Sequence, residues 1–191
     1  MKQVIFFRWN NFSSFVEILK DHLSFFTCES DYEKPEAKIM MEAWRERLEQ
    51  TRIEAARSAL QINPEHPTAL ILLAEEKAET VTEAEQYFLK ALNSAELAFK
   101  KSLAFYNQSN NRRGESEMKR DQNVLIYIKR RLAMCARKLG RVKEAAKMFK
   151  ELTKEHDQRV QWLNSSLGEN LIECYLEMGD YANAQVWKDH I

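Results

Sequence analysis

The stretch from Asp121 to Leu152 reads DQNVLIYIKRRLAMCARKLGRVKEAAKMFKEL. Its first half carries apolar or small residues at intervals of three and four, at Leu125, Ile128, Leu132, Cys135, Ala136 and Leu139. This spacing predicts an amphipathic helix. Gly140 predicts the end of that helix, because glycine adopts the left-handed cap conformation without a Cβ penalty. A second stripe follows, at Ala145, Met148, Phe149 and Leu152. We therefore expect two helices that fold back on each other as a hairpin.

This hairpin matches the residue pattern of a tetratricopeptide repeat, a helix–turn–helix unit of about 34 residues. The matching positions alternate small and large side chains, at Leu132, Ala133, Gly140, Ala145 and Phe149. The pattern recurs near the end of the chain, at Leu171, Tyr175, Gly179, Tyr181 and Ala184. The two turn glycines are 39 positions apart, which indicates insertions at the joints between repeats. The predicted fold class is all-α, a tetratricopeptide-like helical-hairpin array (an α-solenoid) over residues 27–191.

Two earlier hairpins are predicted before this pair. Pro35 suits the first turn of a helix, and a later helix, Arg52–Ile62, ends at Asn63-Pro64 because proline cannot continue it. Pro67 begins the second of these hairpins, in which apolar residues continue as far as Tyr106.

Helix starts are also predicted from capping boxes, in which two side chains satisfy exposed backbone N–H groups reciprocally. The spacing occurs at Thr51 with Glu54 and at Thr80 with Glu83.

Three segments are not assigned to the predicted helices. Residues 1–26 contain a dense apolar cluster and are interpreted as a short helix or extended segment packed on the array. A membrane-surface anchor is the weaker alternative, because few basic residues accompany the cluster. Residues 107–122 are polar throughout, so a polar loop is expected near this stretch. A break is expected near His156–Asn164.

Composition favours a helical protein of ordinary domain size. Only four Gly and three Pro occur among 191 residues, of which 45% are hydrophobic and 30% charged. Such a composition is typical of helices rather than of loop-rich β folds. No apolar run approaches the roughly 20 residues that cross a bilayer, so this chain alone is expected to be soluble. The cysteines lack metal-ligand spacing and are interpreted as reduced core residues: Cys28, Cys135 and Cys174.

Patterns that carry catalytic chemistry are missing from the sequence. No two histidines lie three or four positions apart, and no glycine-rich phosphate loop or G-x-S-x-G motif is present. Paired carboxylates such as Glu75-Glu76 are common on solvated helix faces. We therefore predict no catalytic residues, no cofactor and no metal, and we do not expect an enzyme.

Charge is distributed unevenly, although 29 basic residues balance 29 acidic ones. Residues 112–154 hold 14 basic and 5 acidic side chains, whereas residues 155–191 hold 2 and 7. In the repeat register that places Gly140 at the turn, one helix face lines the concave groove with Tyr127, Arg130, Met134, Arg137 and Lys138. Neighbouring hairpins flank this face with Glu75, Glu79, Glu169, Glu173 and Glu177.

Two interpretations of this basic face are open. In one, solvated helix faces of neighbouring repeats neutralise each other. In the other, the groove binds an acidic peptide or a terminal carboxylate, with arginines making bidentate contacts. Nucleic acid is not expected as a partner, because acidic hairpins flank the basic block and aromatic residues do not interleave with it.

Several long motifs resemble one particular family. They are FFTCESDYEKPEAKIMMEAWRER, IEAARSALQINP, TALILLAEEKAET, EAEQYFLKAL, NVLIYIKRRLAMCARKLGR and ENLIECYLEMGDYANAQ. These motifs are similar to the suppressor of tumorigenicity protein 7 family, over about Phe25–Gln185. The resemblance implies a eukaryotic, tetratricopeptide-like protein with membrane spans outside this region and a growth-restraining role. It implies no catalytic or ligand residues. Since the first 24 residues do not resemble the family and the array stops inside a repeat, we expect a fragment or a truncated product.

These observations predict a non-enzymatic protein–protein interaction scaffold with a protein or peptide partner. The alternative is a purely structural spacer domain of a larger membrane protein. The two differ at the groove, since a scaffold needs a partner there and a spacer does not. Membrane association is expected only through the resemblance.

Overall fold

The computed structural model describes residues 25–109, 111–155 and 161–189. These residues are almost entirely helical and contain no strand, which confirms the predicted all-α class. The chain divides into two compact units: unit 1 ends at Ile128 and unit 2 begins at Lys129. The apolar cluster near the start of the chain lies outside the described residues, as do residues 156–160 of the break expected near His156–Asn164. Residues 161–164 are helical, so the expected break is wrong there.

The described part of unit 1 contains, in chain order, a 3₁₀ helix, three short α-helices, a π-helical turn and a long α-helix. They are the 3₁₀ helix (Glu29–Glu33), α1 (Pro35–Ala43), α2 (Glu49–Ile62), α3 (Pro67–Leu72), the π turn (Leu73–Lys77) and α4 (Val81–Ser109). The next helix, α5 (Arg112–Lys138), begins in unit 1 and ends in unit 2. Unit 2 also contains α6 (Val142–Glu155), α7 (Gln161–Glu177) and α8 (Tyr181–Lys188).

Prolines set several helix boundaries in unit 1, as predicted. Pro35 and Pro67 occupy the first positions of α1 and α3, where a helix has no use for the N–H group that proline lacks. At the other end of α2, Ile62 is the last helical residue and Asn63 is the cap before Pro64.

Reciprocal capping is present at the start of α4. The backbone N–H of Glu83 donates to Thr80 Oγ1 over 3.1 Å, and the Glu83 carboxylate accepts from the N–H of Glu79 over 3.0 Å. The structure therefore confirms the pairing of Thr80 with Glu83, with the return bond displaced by one residue.

The predicted capping box at Thr51 and Glu54 is wrong. Helix α2 begins at Glu49 rather than at Arg52, so both residues lie inside it. The carboxylate that accepts N–H groups ahead of this helix belongs to Glu46, which binds the two residues that follow it in the chain over 2.6 and 3.1 Å. A local spacing rule missed this start because an acceptor in the preceding turn was available.

The polar loop expected near residues 107–122 is also not observed. Helix α4 continues to Ser109, and α5 begins at Arg112. Two ion pairs with the 3₁₀ helix hold the beginning of α5: Arg113 to Glu33 at 2.5 Å, and Arg120 to Asp31. The polar residues of this stretch therefore find tertiary partners, and most of them are good helix formers.

The core of unit 1 is built from helix pairs and an aromatic cluster. Helix α1 packs on α2, and α3 packs on both α2 and α4. The Phe26 ring lies edge-on to Tyr127 with 5.0 Å between centroids and 5.7 Å from Trp44. Helix α3 and the first two residues of the π turn are buried continuously from Thr68 to Ala74, which makes α3 the central helix of this unit.

Unit 2 contains two hairpin turns with the same hydrogen-bond pattern. Gly140 and Gly179 have φ values of 80° and 72°, and the N–H of each donates to the carbonyl three residues earlier. The residue after each glycine donates five residues back, to Ala136 and to Tyr175. Both helix ends therefore have the left-handed cap that the sequence predicted.

The apolar stripes of the opening stretch contribute to both units: Leu125 and Ile128 are buried in unit 1, most of the later positions are buried in unit 2, and Leu139 is 38% exposed. Helix α7 packs on α6 and on α8. Ala133, Ala145 and Phe149 are fully buried. Cys135 and Cys174 are buried and form no disulfide, as predicted, whereas Cys28 is only partly buried and is therefore not a core residue.

Candidate functional site

The five residues of the predicted groove lie on α5, but the two compact units divide them. Tyr127 belongs to unit 1, whereas Arg130, Met134, Arg137 and Lys138 belong to unit 2. The four unit 2 residues are spaced by turns of the helix, so they share one face of α5.

In unit 1, Tyr127 is bound by one of the predicted acidic neighbours. Its hydroxyl donates to the Glu75 carboxylate, while its ring packs against Phe26. Glu75 lies in the π turn. Short π-helical segments occur frequently at functional sites. The contact therefore places one of the flanking carboxylates beside the predicted face. Glu79, the other flanking glutamate that lies in unit 1, is exposed.

In unit 2, Arg137 binds two of the predicted acidic neighbours on α7. Its Nε donates to Glu177 over 2.7 Å, and its Nη1 donates to Glu173. Burial opposes the charge on Arg137, but these carboxylates outweigh it and raise the pKa of the guanidinium. The Arg137 side chain is 25% exposed, and those of Glu173 and Glu177 are 54% and 41% exposed, so solvent reaches all three groups.

The remaining unit 2 residues of this face keep a positive environment. Partial burial lowers the pKa of Lys138, and the neighbouring charges of Arg131 and Arg137 lower it further. Met134 is partly buried, with its sulfur 4.0 Å from a guanidinium nitrogen of Arg131.

A buried ion pair that the sequence did not predict lies beside the π turn. Arg52, only 2% exposed, donates through Nε to both carboxylate oxygens of Glu76, at 2.7 and 2.9 Å. Its Nη1 also donates to the carbonyls of Glu46 and Arg47, at the end of the preceding loop. Burial outweighs the effect of Arg52 and raises the pKa of Glu76 to about 7. The available signal was a charged residue next to Ile53, on the apolar stripe of α2.

A second buried cluster joins the 3₁₀ helix, α4 and α5. Arg120 binds both Asp31 and Asp121, and Asp121 is hydrogen-bonded to Ser102. Burial raises the pKa of Asp121 despite the adjacent guanidinium. Asp121 lies one turn before Val124 on the apolar stripe of α5, so here too the signal was a charge at a core-facing position.

A cleft of about 380 Å³ opens beside this cluster in unit 1. Three basic and three acidic side chains line it, namely Lys34, Lys101, Arg120, Glu65, Glu117 and Asp121. Apolar residues of α4, Leu97 and Phe105 among them, complete its wall. Because its charges balance, the cleft has no electrostatic preference for an anion or a cation.

Within the described residues, no three histidine, cysteine or acidic side chains come together as a metal site. His66 is the one histidine in this part of the chain, and it caps α3 through Nδ1, which accepts from the N–H of Ala69 over 3.4 Å. Burial lowers the pKa of His66 to about 4, so its ring is neutral near pH 7. None of the helices described is long and apolar enough to cross a bilayer.

Comparison with known proteins places this all-α chain in one family. A family profile described as "ST7 protein" matches residues 11–188. The chain belongs to the ST7 family, in agreement with the resemblance found in its motifs. Because the match begins at residue 11, the expectation that the first 24 residues do not resemble the family is wrong for residues 11–24.

Individual relatives agree with this assignment. The chain is 55% identical over 164 residues to "Protein ST7 homolog" of Drosophila melanogaster, which covers 86% of this chain and 30% of the relative. It is 48% identical over 166 residues to "Suppressor of tumorigenicity 7 protein-like" of Gallus gallus, and this alignment covers 87% of this chain and 29% of the relative. The Homo sapiens protein that is also described as "Suppressor of tumorigenicity 7 protein-like" is 46% identical over 166 residues, which cover 87% of this chain and 28% of the relative. The chain thus spans less than a third of the length of these relatives. No solved structure matches it.

Proposed function

We propose that this chain is a tetratricopeptide-like array of helical hairpins that acts as a non-enzymatic protein-interaction module. The equivalence of two hairpins in unit 2 supports the array. Leu132, Cys135 and Ala145 each have a buried counterpart 39 positions later, at Leu171, Cys174 and Ala184, in step with the two turn glycines. A shared burial pattern in a shared register is the mark of a repeated structural unit.

The ligand that we propose is an acidic peptide or a terminal carboxylate, bound on the basic face of α5. One observation carries this proposal: Arg137 holds two carboxylates, Glu173 and Glu177, at a solvent-accessible site. Arginine presents several N–H donors in a fixed plane, so it binds carboxylates with defined geometry. Lys138 and Arg131 add positive charge next to this site. The same charge would attract phosphate, but the acidic residues of α7 oppose a polyanion, and we do not propose nucleic acid as the partner.

The test is peptide binding by the full chain and by charge-neutral variants. An Arg130→Gln, Arg137→Gln double variant should bind a fluorescent glutamate-rich peptide at least about tenfold more weakly, since hydrogen bonds to charged groups each contribute about 1.5–3 kcal/mol. Fluorescence anisotropy at two salt concentrations measures the loss. A second peptide with an amidated C-terminus shows whether the chain recognises the terminal carboxylate or the glutamate side chains.

The matched control is Lys143→Gln, Lys150→Gln on α6. It removes the same charge at the same seven-residue spacing, from two exposed positions. Equal weakening by the two variants would show only a general charge effect. Absence of binding by the unmodified chain would contradict the proposed ligand.

The alternative function is a structural spacer within a larger membrane protein, and one observation favours it. The carboxylates that bind Arg137 and Tyr127 come from the chain itself, so these groups serve the fold without any partner. A spacer predicts that the arginine double variant loses thermal stability and that no variant changes peptide binding. Membrane attachment through other parts of such a protein belongs to the same proposal.

A further inference from the structure

The two carboxylates that meet at Arg137 come from a single helix. Glu173 and Glu177 are four residues apart on α7, so they project from one face, one turn from each other. They reach different nitrogens of the same guanidinium, Nη1 and Nε respectively. Arg137 therefore shows which pattern of anions fits it: two glutamates spaced by one helical turn.

These contacts are accessible to exchange. About half of each glutamate side chain is exposed, and a quarter of the arginine is. Ion pairs with this exposure contribute little to folding, because water and salt compete for both partners. The glutamates can therefore rotate into solvent while α7 keeps its apolar contacts through Leu171 and Cys174, which are fully buried.

Other basic side chains lie near Arg137 on α5. Arg131 and Lys138 lie close enough to act on each other electrostatically, and Lys138 is exposed. Arg130 is two turns from Arg137 on the same helix face.

We propose that this surface recognises a helical segment of a partner protein that carries two glutamates one turn apart, and that Glu173 and Glu177 occupy the same position as an internal competitor. This inference rests on the proposed function and adds the partner's geometry and a regulatory contact to it. Binding of the partner segment replaces the α7 carboxylates at Arg137, so the internal pair sets the affinity.

The experiment uses the full chain and alanine-rich helical peptides labelled with a fluorophore. One peptide carries two glutamates at positions i and i+4, and another carries them at i and i+2, on different faces of its helix. A Glu173→Gln, Glu177→Gln double variant should bind the first peptide about two- to fivefold more tightly than the unmodified chain, the range expected when exposed ion pairs no longer compete for Arg137. It should prefer the first peptide over the second.

The control variant is Glu144→Gln, Glu151→Gln on α6, which removes the same charge from two exposed positions. Equal tightening in the control would overturn the internal competition, since the cause would be net charge. Equal affinities of the unmodified chain and the Glu173→Gln, Glu177→Gln variant would also overturn it, while leaving the proposed function intact. Absence of binding in every variant would overturn both. The single Glu177→Gln variant serves as the measurement if circular dichroism shows that the double variant is unfolded.

Discussion

His66 caps the first turn of α3 with a ring nitrogen, a role that asparagine, aspartate and serine fill more often. Nδ1 can accept the N–H of Ala69 only while it is unprotonated. Burial opposes protonation as well and lowers the pKa of His66 to about 4. The ordinary value, 6.5, applies in the unfolded chain. The neutral ring is therefore the form that the folded state requires.

The first prediction follows from this difference. Protonation favours the unfolded state, so the stabilisation is complete above pH 6.5 and is lost as the pH falls towards 4. His66→Asn keeps a capping acceptor and does not titrate, so it should lack this loss. Urea denaturation of both proteins from pH 7.5 to pH 4.5 measures the effect. If the free energy of unfolding fell equally with pH in the unmodified chain and in His66→Asn, the role assigned to His66 would be wrong.

Ala145 illustrates a second residue-scale constraint, since its side chain is completely buried at the start of α6. We predict that Ala145→Leu destabilises the chain by about 1–3 kcal/mol, because a close helix contact has no room for three more carbon atoms. Lys150→Leu, which adds a leucine at an exposed position of the same helix, is the control. A thermal melt of Ala145→Leu equal to that of the unmodified chain would show that the repeat register is wrong.

At the scale of elements, the turn between α5 and α6 depends on the backbone of Gly140. Its φ of 80° is strained for any residue with a Cβ, yet a Cβ built there meets no atom within 4 Å. The cost of a substitution is therefore conformational rather than steric.

We predict that Gly140→Ala lowers the free energy of unfolding by about 1–2 kcal/mol, the cost of the left-handed conformation for an L-residue. Gly140→Asn should lose less, because asparagine tolerates this conformation. Chemical denaturation distinguishes the three proteins. If alanine and glycine gave equal stability, the turn would have another conformation in solution.

The start of α5 is held by interactions that local sequence does not reveal. Arg113 and Arg120 bind carboxylates of the 3₁₀ helix that are 80 and 89 positions away in the chain. A single-sequence pattern of polar residues is compatible with a loop or with a solvated helix, so the helix was missed here. The ion pairs of Arg113 and Arg120 with the 3₁₀ helix favour the helical state of this segment.

At the scale of the whole molecule, buried area is distributed unevenly among the helices of unit 2. Helix α8 spans only eight residues, of which Ala184 alone is buried, while Tyr181 and Val186 are 70% and 51% exposed. Helix α6 buries a continuous stripe that includes Phe149 and Leu152. Local opening follows such differences, because helices with few buried contacts unfold at low free energy.

We therefore predict that amide protons of α8 exchange at least about tenfold faster than those of α6, a difference of about 1.4 kcal/mol in opening free energy. Hydrogen exchange followed by mass spectrometry compares the two helices within one molecule. Equal protection of the two helices would contradict this prediction and would show that α8 makes contacts in solution that its exposed side chains do not indicate.

The sequence by itself determined the all-α class, the proline-defined helix starts, both glycine turns and the apolar stripes. Each depends on chemistry within a few residues: proline lacks an N–H, glycine tolerates positive φ, and a helical period places apolar residues on one face. The family followed from long motifs for the same reason, since they are contiguous in the chain. The predicted peptide ligand and the repeat array remain proposals.

Only the tertiary structure decided where the charged side chains went. Arg52 is buried against Glu76, 24 positions later, and Arg137 binds Glu177, 40 positions later. The sequence placed Arg137 and Glu177 on neighbouring helix faces and showed Arg52 as a charge on an apolar stripe, but it did not pair any of these residues with a partner. An ion pair between distant positions forms when packing brings its members together, and a buried charge persists only where a partner offsets its lost hydration.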